Sequence, residues 1–327
     1  MLRWYDAARR DLPWRESNGF YRVWISEVML QQTRVEAVIP YYLRFLERFP
    51  STEALAEAPE DEVLAAWSGL GYYSRARNLR RAAKRIVAEG PPSTYEGVLS
   101  LPGAGPYTAA AIASIALDLP HAAVDGNVIR AISRLTNNAS EIASPAARRT
   151  FTGDAAALLD RTRPGDFNQA MMELGAAICL PRTPRCEACP VVEFCAARAA
   201  GTERELPVKR KKPRARRLTL DLILLESGTR VFLVRRASSE RRLAGFRELP
   251  GKSLFPRLRT RRLCEFGHSI ANDRFMVTIW GAAGVLEKEM PAADMPTGNW
   301  FDAAELHGIP LTTITKKAFR ASGRPPF

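Results

Sequence analysis

The sequence predicts two folded parts of different class: a mainly helical part over residues 1–200 and a smaller α+β part over 218–327, joined by a basic stretch at 201–217. Three observations carry this. Apolar residues recur at helical spacing throughout the first part. Strand-like runs rich in branched and aromatic residues follow residue 218. Between them, seven of the nine residues 209–217 are Lys or Arg. A chain of 327 residues is long enough for two domains with proper cores, and 46% hydrophobic content marks it as globular rather than disordered.

The helical periodicity falls in 22–34, 36–48, 61–66, 75–88, 107–118, 127–136, 146–160 and 167–178. Breakers separate these segments: Pro50, Gly69 and Gly71, Pro91–Pro92, Pro102 to Pro106, Pro120 and Pro164–Gly165. In the second part, 218–226, 230–236 and 275–281 read as strands, with Ser227-Gly228 as the hairpin turn between the first two.

Net charge is +13 and the pI about 9.9, which points to a polyanionic partner, nucleic acid first. Plain solubility is the bland alternative. No apolar run is long enough for a membrane span, and MLRWYDAARRDLPWR has no signal-peptide core. A reducing, cytoplasmic setting is therefore expected. The basic linker reads equally as a solvated tether or as a segment contacting phosphates.

Cys179, Cys186, Cys189 and Cys195 leave gaps of six, two and five residues. Four thiolates this close suit one 4Fe–4S cluster or one tetrahedral zinc. A zinc ribbon would normally give two CxxC pairs, and only Cys186 and Cys189 make one. Cys264 stands alone and reads as an ordinary buried thiol.

Three further constellations carry chemistry. In LPGAGPYTAAAIASIAL, 101–117, a short helix ends, Gly103 and Gly105 make a tight hairpin, and a new helix starts near Pro106. Glycines admit a phosphate closely, and the helix N-terminus offers free N–H groups. This is a helix–hairpin–helix signature. Asp125, in VDGNVIR, is placed to cap the next helix, where N–H groups favour an ionised carboxylate. Glu27 sits among Ile25, Val28, Met29 and Leu30, an apolar setting that raises a carboxyl pKa and suits a general acid. Gln31, four residues on, is expected on the same helix face. A surface glutamate and a simple N-cap are the ordinary alternatives for these two acids.

The motifs LPWR (12–15), VWISEVMLQQTRVEAVIPYY (23–42), GLGYYSRARNL (69–79), LPGAGPYTA (101–109), AVDGNV (123–128), FNQAMMELGA (167–176) and the cysteine loop occur in this order. Together they resemble the MutY family of A/G-specific adenine DNA glycosylases, in the endonuclease III superfamily. The resemblance covers nearly all of 1–210 and, more loosely, 218–327. It implies a helix–hairpin–helix glycosylase domain with one 4Fe–4S cluster in the 179–195 loop, then a Nudix-like domain.

The implied reaction is hydrolysis of the N-glycosidic bond of adenine mispaired with 8-oxoguanine or guanine in duplex DNA. The base is flipped out of the stack, and the protein is expected to act as a monomer. Glu27 is implied as acid and then base, Asp125 as the group facing the developing sugar cation, and Tyr107 and Asn127 as assistants. Arg10, Trp14, Arg15 and Gln169 match the adenine pocket. Gln31, Gln32 and Thr33 match the segment entering the duplex, Tyr72 the wedge beside the lesion, and Gly103 and Gly105 the phosphate hairpin. The cluster loop is implied to present Arg182 and Arg185 to DNA.

Bifunctional relatives carry a lysine where this chain has Tyr107, and no lysine occurs from 85 to 208. A glycosylase/lyase is thereby disfavoured. A non-catalytic damage sensor would not need Glu27 and Asp125. GFRELPGK (245–252) is similar to the start of a Nudix element, yet 253–262, SLFPRLRTRR, is basic where a hydrolase needs metal-binding acids. The second part is thus expected to bind, not to hydrolyse. The family's Phe-Ser-His, aligned on His268, is replaced by Ile270-Ala271-Asn272. Ser269 and Asn272 remain as lesion contacts, and weaker discrimination between 8-oxoguanine and guanine is expected.

Overall fold

The computed structural model describes residues 1–210, 215–237, 239–240, 243–270, 272–282 and 297–324. Contacts divide the chain into two compact units, Met1–Glu57 with Asn78–Lys211, and Ala58–Arg77 with Lys212–Phe327. The second unit thus includes a short stretch of the sequence expected to be helical throughout. No helix among the described residues is long and apolar enough to cross a membrane.

The first unit is built around the helix Pro106–Leu117, in which Thr108 to Ile115 are all buried. Its core residues are small (Ala109, Ala110, Ala111 and Ala113), which lets neighbouring helices approach closely. The helices Phe20–Leu30, Tyr95–Leu99 and Pro164–Glu173 pack on it. Pro106, Pro145 and Pro164 each stand in a helical first turn, where the missing N–H costs nothing. The predicted hairpin is present: Gly103 has φ +84° and Gly105 precedes the helix as its N-cap. A Cβ on Gly103 would also stand 2.7 Å from the Asn78 side chain, so two requirements exclude other residues.

Several features differ from expectation. The helix predicted to 34 ends at Leu30. Gln32 turns left-handed (φ 57°), and the Thr33 N–H bonds back to the Leu30 carbonyl at 3.2 Å. Gln31 therefore does not share a helix face with Glu27; its amide donates to Thr108 Oγ1 at 2.9 Å. The last predicted helix changes character after Glu173, where Leu174–Ile178 forms a π-helical turn. The helices Leu2–Ala8, Thr52–Glu57 and Tyr95–Leu99 were too short to show a period. The first part of the basic stretch is anchored to this unit: Leu206 is buried, Thr202 Oγ1 donates to Asn137, and Val208 accepts from the Ile142 N–H. Residues 211–214 of that stretch lie outside the described residues.

The second unit holds strands β1 (Arg216–Ser227), β2 (Arg230–Arg235), β3 (Arg247–Glu248), β4 (Arg261–Ile270), β5 (Asp273–Ala282) and β6 (Gly298–Asp302). Their order is β3-β2-β1-β5-β4, with β6 on β2. The hairpin at Ser227-Gly228 is as expected, with Gly228 at φ 59° and Ser227 paired to Arg230. β1 pairs β5 in parallel and β5 pairs β4 antiparallel. Leu222, Leu224, Val277 and Ile279 bury one face under Phe319 of the helix Thr313–Ala321. Ile223 and Leu225 bury the other against Phe232 and Phe255. Burial on both faces explains the apolar run 222–225 within β1. Cys264 is half-buried against the first of these cores.

Candidate active site

Glu27 stands in the interior of the helix Phe20–Leu30, where every backbone N–H is already spent on the helix and none can reach a carboxylate. It is 5% exposed. Burial pushes its carboxyl up to about 7, with the Asp125 charge adding to the rise, while a hydrogen bond from Tyr107 and the charge of Arg15 pull it down. Tyr107 O–H lies 3.2 Å from Glu27 Oε2 and 3.1 Å from Met172 Sδ. Its one proton goes to the carboxylate, the stronger acceptor. Burial holds the Tyr107 hydroxyl well above its ordinary pKa, so it remains a donor.

Asp125 is the N-cap of the helix Gly126–Leu135. Its Oδ1 accepts from the N–H groups of Asn127 (2.8 Å) and Val128 (2.7 Å), and its Oδ2 from Asn127 Nδ2 (3.0 Å). Burial still moves its carboxyl upward from the ordinary value, against the pull of those three bonds and of Arg130. The sequence reading counted only the N–H groups; desolvation is the larger effect.

Asn127 is itself fixed. Its Oδ1 accepts from Arg130 at 2.9 Å, which leaves Nδ2 for Asp125. Buried Arg130 also donates to the carbonyls of Gly175 (2.7 Å) and Cys179 (2.7 Å). Arg134, one turn on, donates to Leu180 O (2.8 Å), Pro181 O (3.1 Å) and Leu206 O (3.1 Å), and lies 3.2 Å from Cys179 Sγ. The π-helical turn presses Gly175 onto Asn127: a Cβ there would stand 2.5 Å from Asn127 Cβ. One face of the Asp125 helix thus grips the cysteine loop. The segment entering Asp125 is held by buried Asn168, which accepts from the Ala123 N–H (3.0 Å) and donates to Ser114 Oγ and His121 O (2.8 Å each).

Glu27, Tyr107, Asp125, Asn127, Arg10, Trp14, Arg15, Gln169 and Thr33 line one cleft. Sequence reasoning missed Glu173 there, which is 2% exposed. It takes Arg10 Nε at 2.6 Å and Arg15 Nη2 at 2.8 Å, and Arg15 Nε adds Gln169 at 3.2 Å. Burial raises the Glu173 carboxyl, but the two guanidiniums outweigh it and hold it below its ordinary value. An acid between apolar neighbours in FNQAMMELGA was the available signal. Trp14 is buried edge-on against Tyr42.

The remaining predicted residues fall outside the cleft lining. Gln31 bonds Thr108, and Gln32 forms the left-handed turn. Gly103 and Gly105 make the hairpin in the same unit. Tyr72, 56% exposed at φ 48° under the Arg75 guanidinium, belongs to the second unit, as do Ser269 and Asn272. Ile270 ends β4 and Ala271 lies outside the described residues.

The four cysteines occupy one loop of short 3-10 turns. No set of three or more Cys, His, Asp or Glu among the described residues stands close enough to hold a single metal ion. The thiols nevertheless act on one another: Cys189 feels Cys179, Cys195 and Cys186 electrostatically, and burial raises it first of all.

A helix–hairpin–helix scaffold holding two unlike carboxylates in one cleft defines a base excision DNA glycosylase. The family model described as "HhH-GPD superfamily base excision DNA repair protein" matches residues 25–152. The chain is 34% identical to the human adenine DNA glycosylase, an alignment covering 100% of this chain and 74% of that protein. It is 47% identical to the mouse adenine DNA glycosylase over 60% of this chain and 41% of that one. It spans less than half of that mouse relative. Among solved structures, a thermostable thymine-DNA glycosylase is 27% identical with a TM-score of 0.54, over 61% of this chain and 93% of that one. An endonuclease III–DNA complex, 20% identical with a TM-score of 0.51, shares the fold. The chain belongs to the adenine DNA glycosylase family.

Proposed function

We propose that this chain hydrolyses the N-glycosidic bond of adenine paired with 8-oxoguanine or guanine in duplex DNA. The observation that carries the reading is the pair of carboxylates in one cleft with opposite surroundings. Glu27 has no backbone donor and an upward pKa of about 7, so it can hold a proton at neutral pH. Asp125 is ringed by donors that favour its charge. This is the division of labour that splits a glycosidic bond.

The adenine, rotated out of the stack, enters the cleft. Glu27 gives its proton to adenine N7 while Tyr107 steadies the carboxyl. The C1′–N9 bond breaks, and its electron pair leaves with the base. The Asp125 carboxylate faces the oxocarbenium-like sugar, and Asn127 and Arg130 fix its direction. Glu27, now a carboxylate, takes a proton from water as the water oxygen bonds to C1′. Glu173 acts by tying Arg10 and Arg15 to the cleft wall. With Tyr107 where a lyase needs an amine nucleophile, the chain is monofunctional.

Cys179, Cys186, Cys189 and Cys195 would hold one 4Fe–4S cluster. Supporting this are the shared loop of short turns that carries all four cysteines and the Arg134 Nη1 donor 3.2 Å from Cys179 Sγ. The bound cluster would order the loop that exposes Arg182 and Arg185.

A single-turnover assay on a duplex with one adenine opposite 8-oxoguanine tests the proposal. Strand cleavage at that adenine only after alkali is expected. Cleavage without alkali would show lyase chemistry. Tight binding without product would remove the enzymatic reading.

A further inference from the structure

One face of the β1–β5–β4 sheet remains open near the β4–β5 turn. Residues directly paired across strands share a face. Arg217 pairs with Arg274, and Arg274 with Ser269, so these three form one row across the sheet. Thr219, Met276 and Gly267 form the next. All six are exposed, Met276 at 47%. The helix Thr313–Ala321 covers the opposite face, and Phe255 and Leu258 cover this one only further along, at Ile223, Leu225 and Trp280.

The row places two arginines side by side on neighbouring strands, about 4.8 Å apart in backbone. Like charges directly opposite are destabilising. Neither has an ion-pair partner among the described residues. The nearest carboxylate in sequence, Asp273, is on the other face and bonds Arg216 at 2.7 and 3.0 Å. The acids of the third row are also engaged: Asp221 accepts from Trp280 Nε1 at 2.8 Å, and Glu265 pairs with Arg262 at 2.9 Å. They bound the basic footprint to the first two rows. Among the described residues, the two rows hold beside the arginines a serine hydroxyl, a threonine, a methionine and a glycine. The surface is therefore low and flat, and rich in donors.

We propose that this face, Arg217 and Arg274 with Ser269, grips the phosphodiester backbone of the duplex. Two guanidiniums one strand apart can close on one phosphate or span two neighbours, and a bound anion turns their repulsion into attraction. The face adjoins the turn carrying Asn272, so the grip would hold that turn in register on the DNA. The inference rests on the proposed function in taking duplex DNA as the partner.

The test uses the full chain and the double variant R217A/R274A, with R217Q/R274Q as a second pair. R257A/R259A removes the same charge from exposed arginines elsewhere in the unit. Duplex affinity is followed by anisotropy against salt, and excision at saturating protein is followed separately. The expected result is a salt slope smaller by about 1–2 in both row variants, roughly 0.9 per phosphate lost. The slope should be unchanged in R257A/R259A, and the excision rate at saturation should stay within about two-fold of the parent. Melting without DNA should be no lower than the parent, because repulsion is relieved. An unchanged slope in the row variants overturns the inference, as does an equal fall in the control. So does a parent that self-associates through this face and stops doing so in the variants. Absence of excision by the parent would sink the function reading and leave the slope comparison standing.

Discussion

The two carboxylates of the cleft occupy opposite kinds of helical position. Glu27 lies inside a helix, where the backbone has nothing left to offer it. Asp125 lies just before one, where two free N–H groups and the Asn127 amide converge on it. Both are buried or nearly so, and burial moves both upward, but only Asp125 has backbone donors to oppose the shift, where Glu27 has the Tyr107 hydroxyl and the Arg15 charge. Position on the helix, more than residue type, gives the two carboxylates their opposite surroundings.

The sharpest way to break this contrast is Glu27→Gln. Single-turnover excision should fall by about 10²–10⁴-fold while duplex affinity is retained. The same variant tests the burial argument. A carboxyl whose folded pKa is raised to about 7 contributes stability below its unfolded value, and that contribution is lost as pH rises through 7. The variant should therefore melt higher than the parent above pH 7, by up to about 3 kcal/mol, with the gap closing toward pH 5. A constant gap across pH would contradict an isolated, buried Glu27.

Asp125→Asn is next. The amide oxygen still caps the helix, so the fold should persist while excision drops by about 10²–10³-fold. Loss of helix by circular dichroism would mean that the cap, not the charge, dominates at this site.

The parent's own pH profile gives a smaller effect. In the proposed mechanism the acid form of Glu27 is the active one, so the rate should fall by about ten-fold per unit once pH passes well beyond 7. A rate rising through that range would reverse the roles assigned to the two acids.

Arg130→Gln should leave Glu27 untouched and act on Asp125 alone, by freeing Asn127 from the cysteine loop. A reduction of roughly ten-fold in rate is expected, with an unchanged pH midpoint near 7, and iron content measured alongside. A shifted midpoint would show that the two halves of the cleft are not separable.

Much of this was legible locally. The Gly103–Pro106 hairpin follows from turn and helix-start chemistry, and the Asp125 cap from its place before GNVIR. The four consecutive apolar residues 222–225 of β1 signal burial on both faces. Other features were not legible because they join distant segments. Gln31 left its helix for Thr108, a partner 77 residues away. Glu173 became a cleft residue only when two arginines from the N-terminus reached it, across 163 and 158 residues. The hold of Arg130 on Gly175 and Cys179 depends on a π-helical turn that no periodicity announces.

By itself, then, the sequence determined the longer helices of the first part, three of the strands, where the hairpin turns, and Glu27 and Asp125 as candidate acids. These rest on backbone sterics and on spacing within a few residues. β4 at Arg261–Ile270, β6 and the helix Thr313–Ala321 came only with the structure. Only the tertiary structure decided which acid would keep a proton. Desolvation and the donors around a carboxylate are set by side chains such as Tyr107, 80 residues from Glu27, and no local pattern contains them.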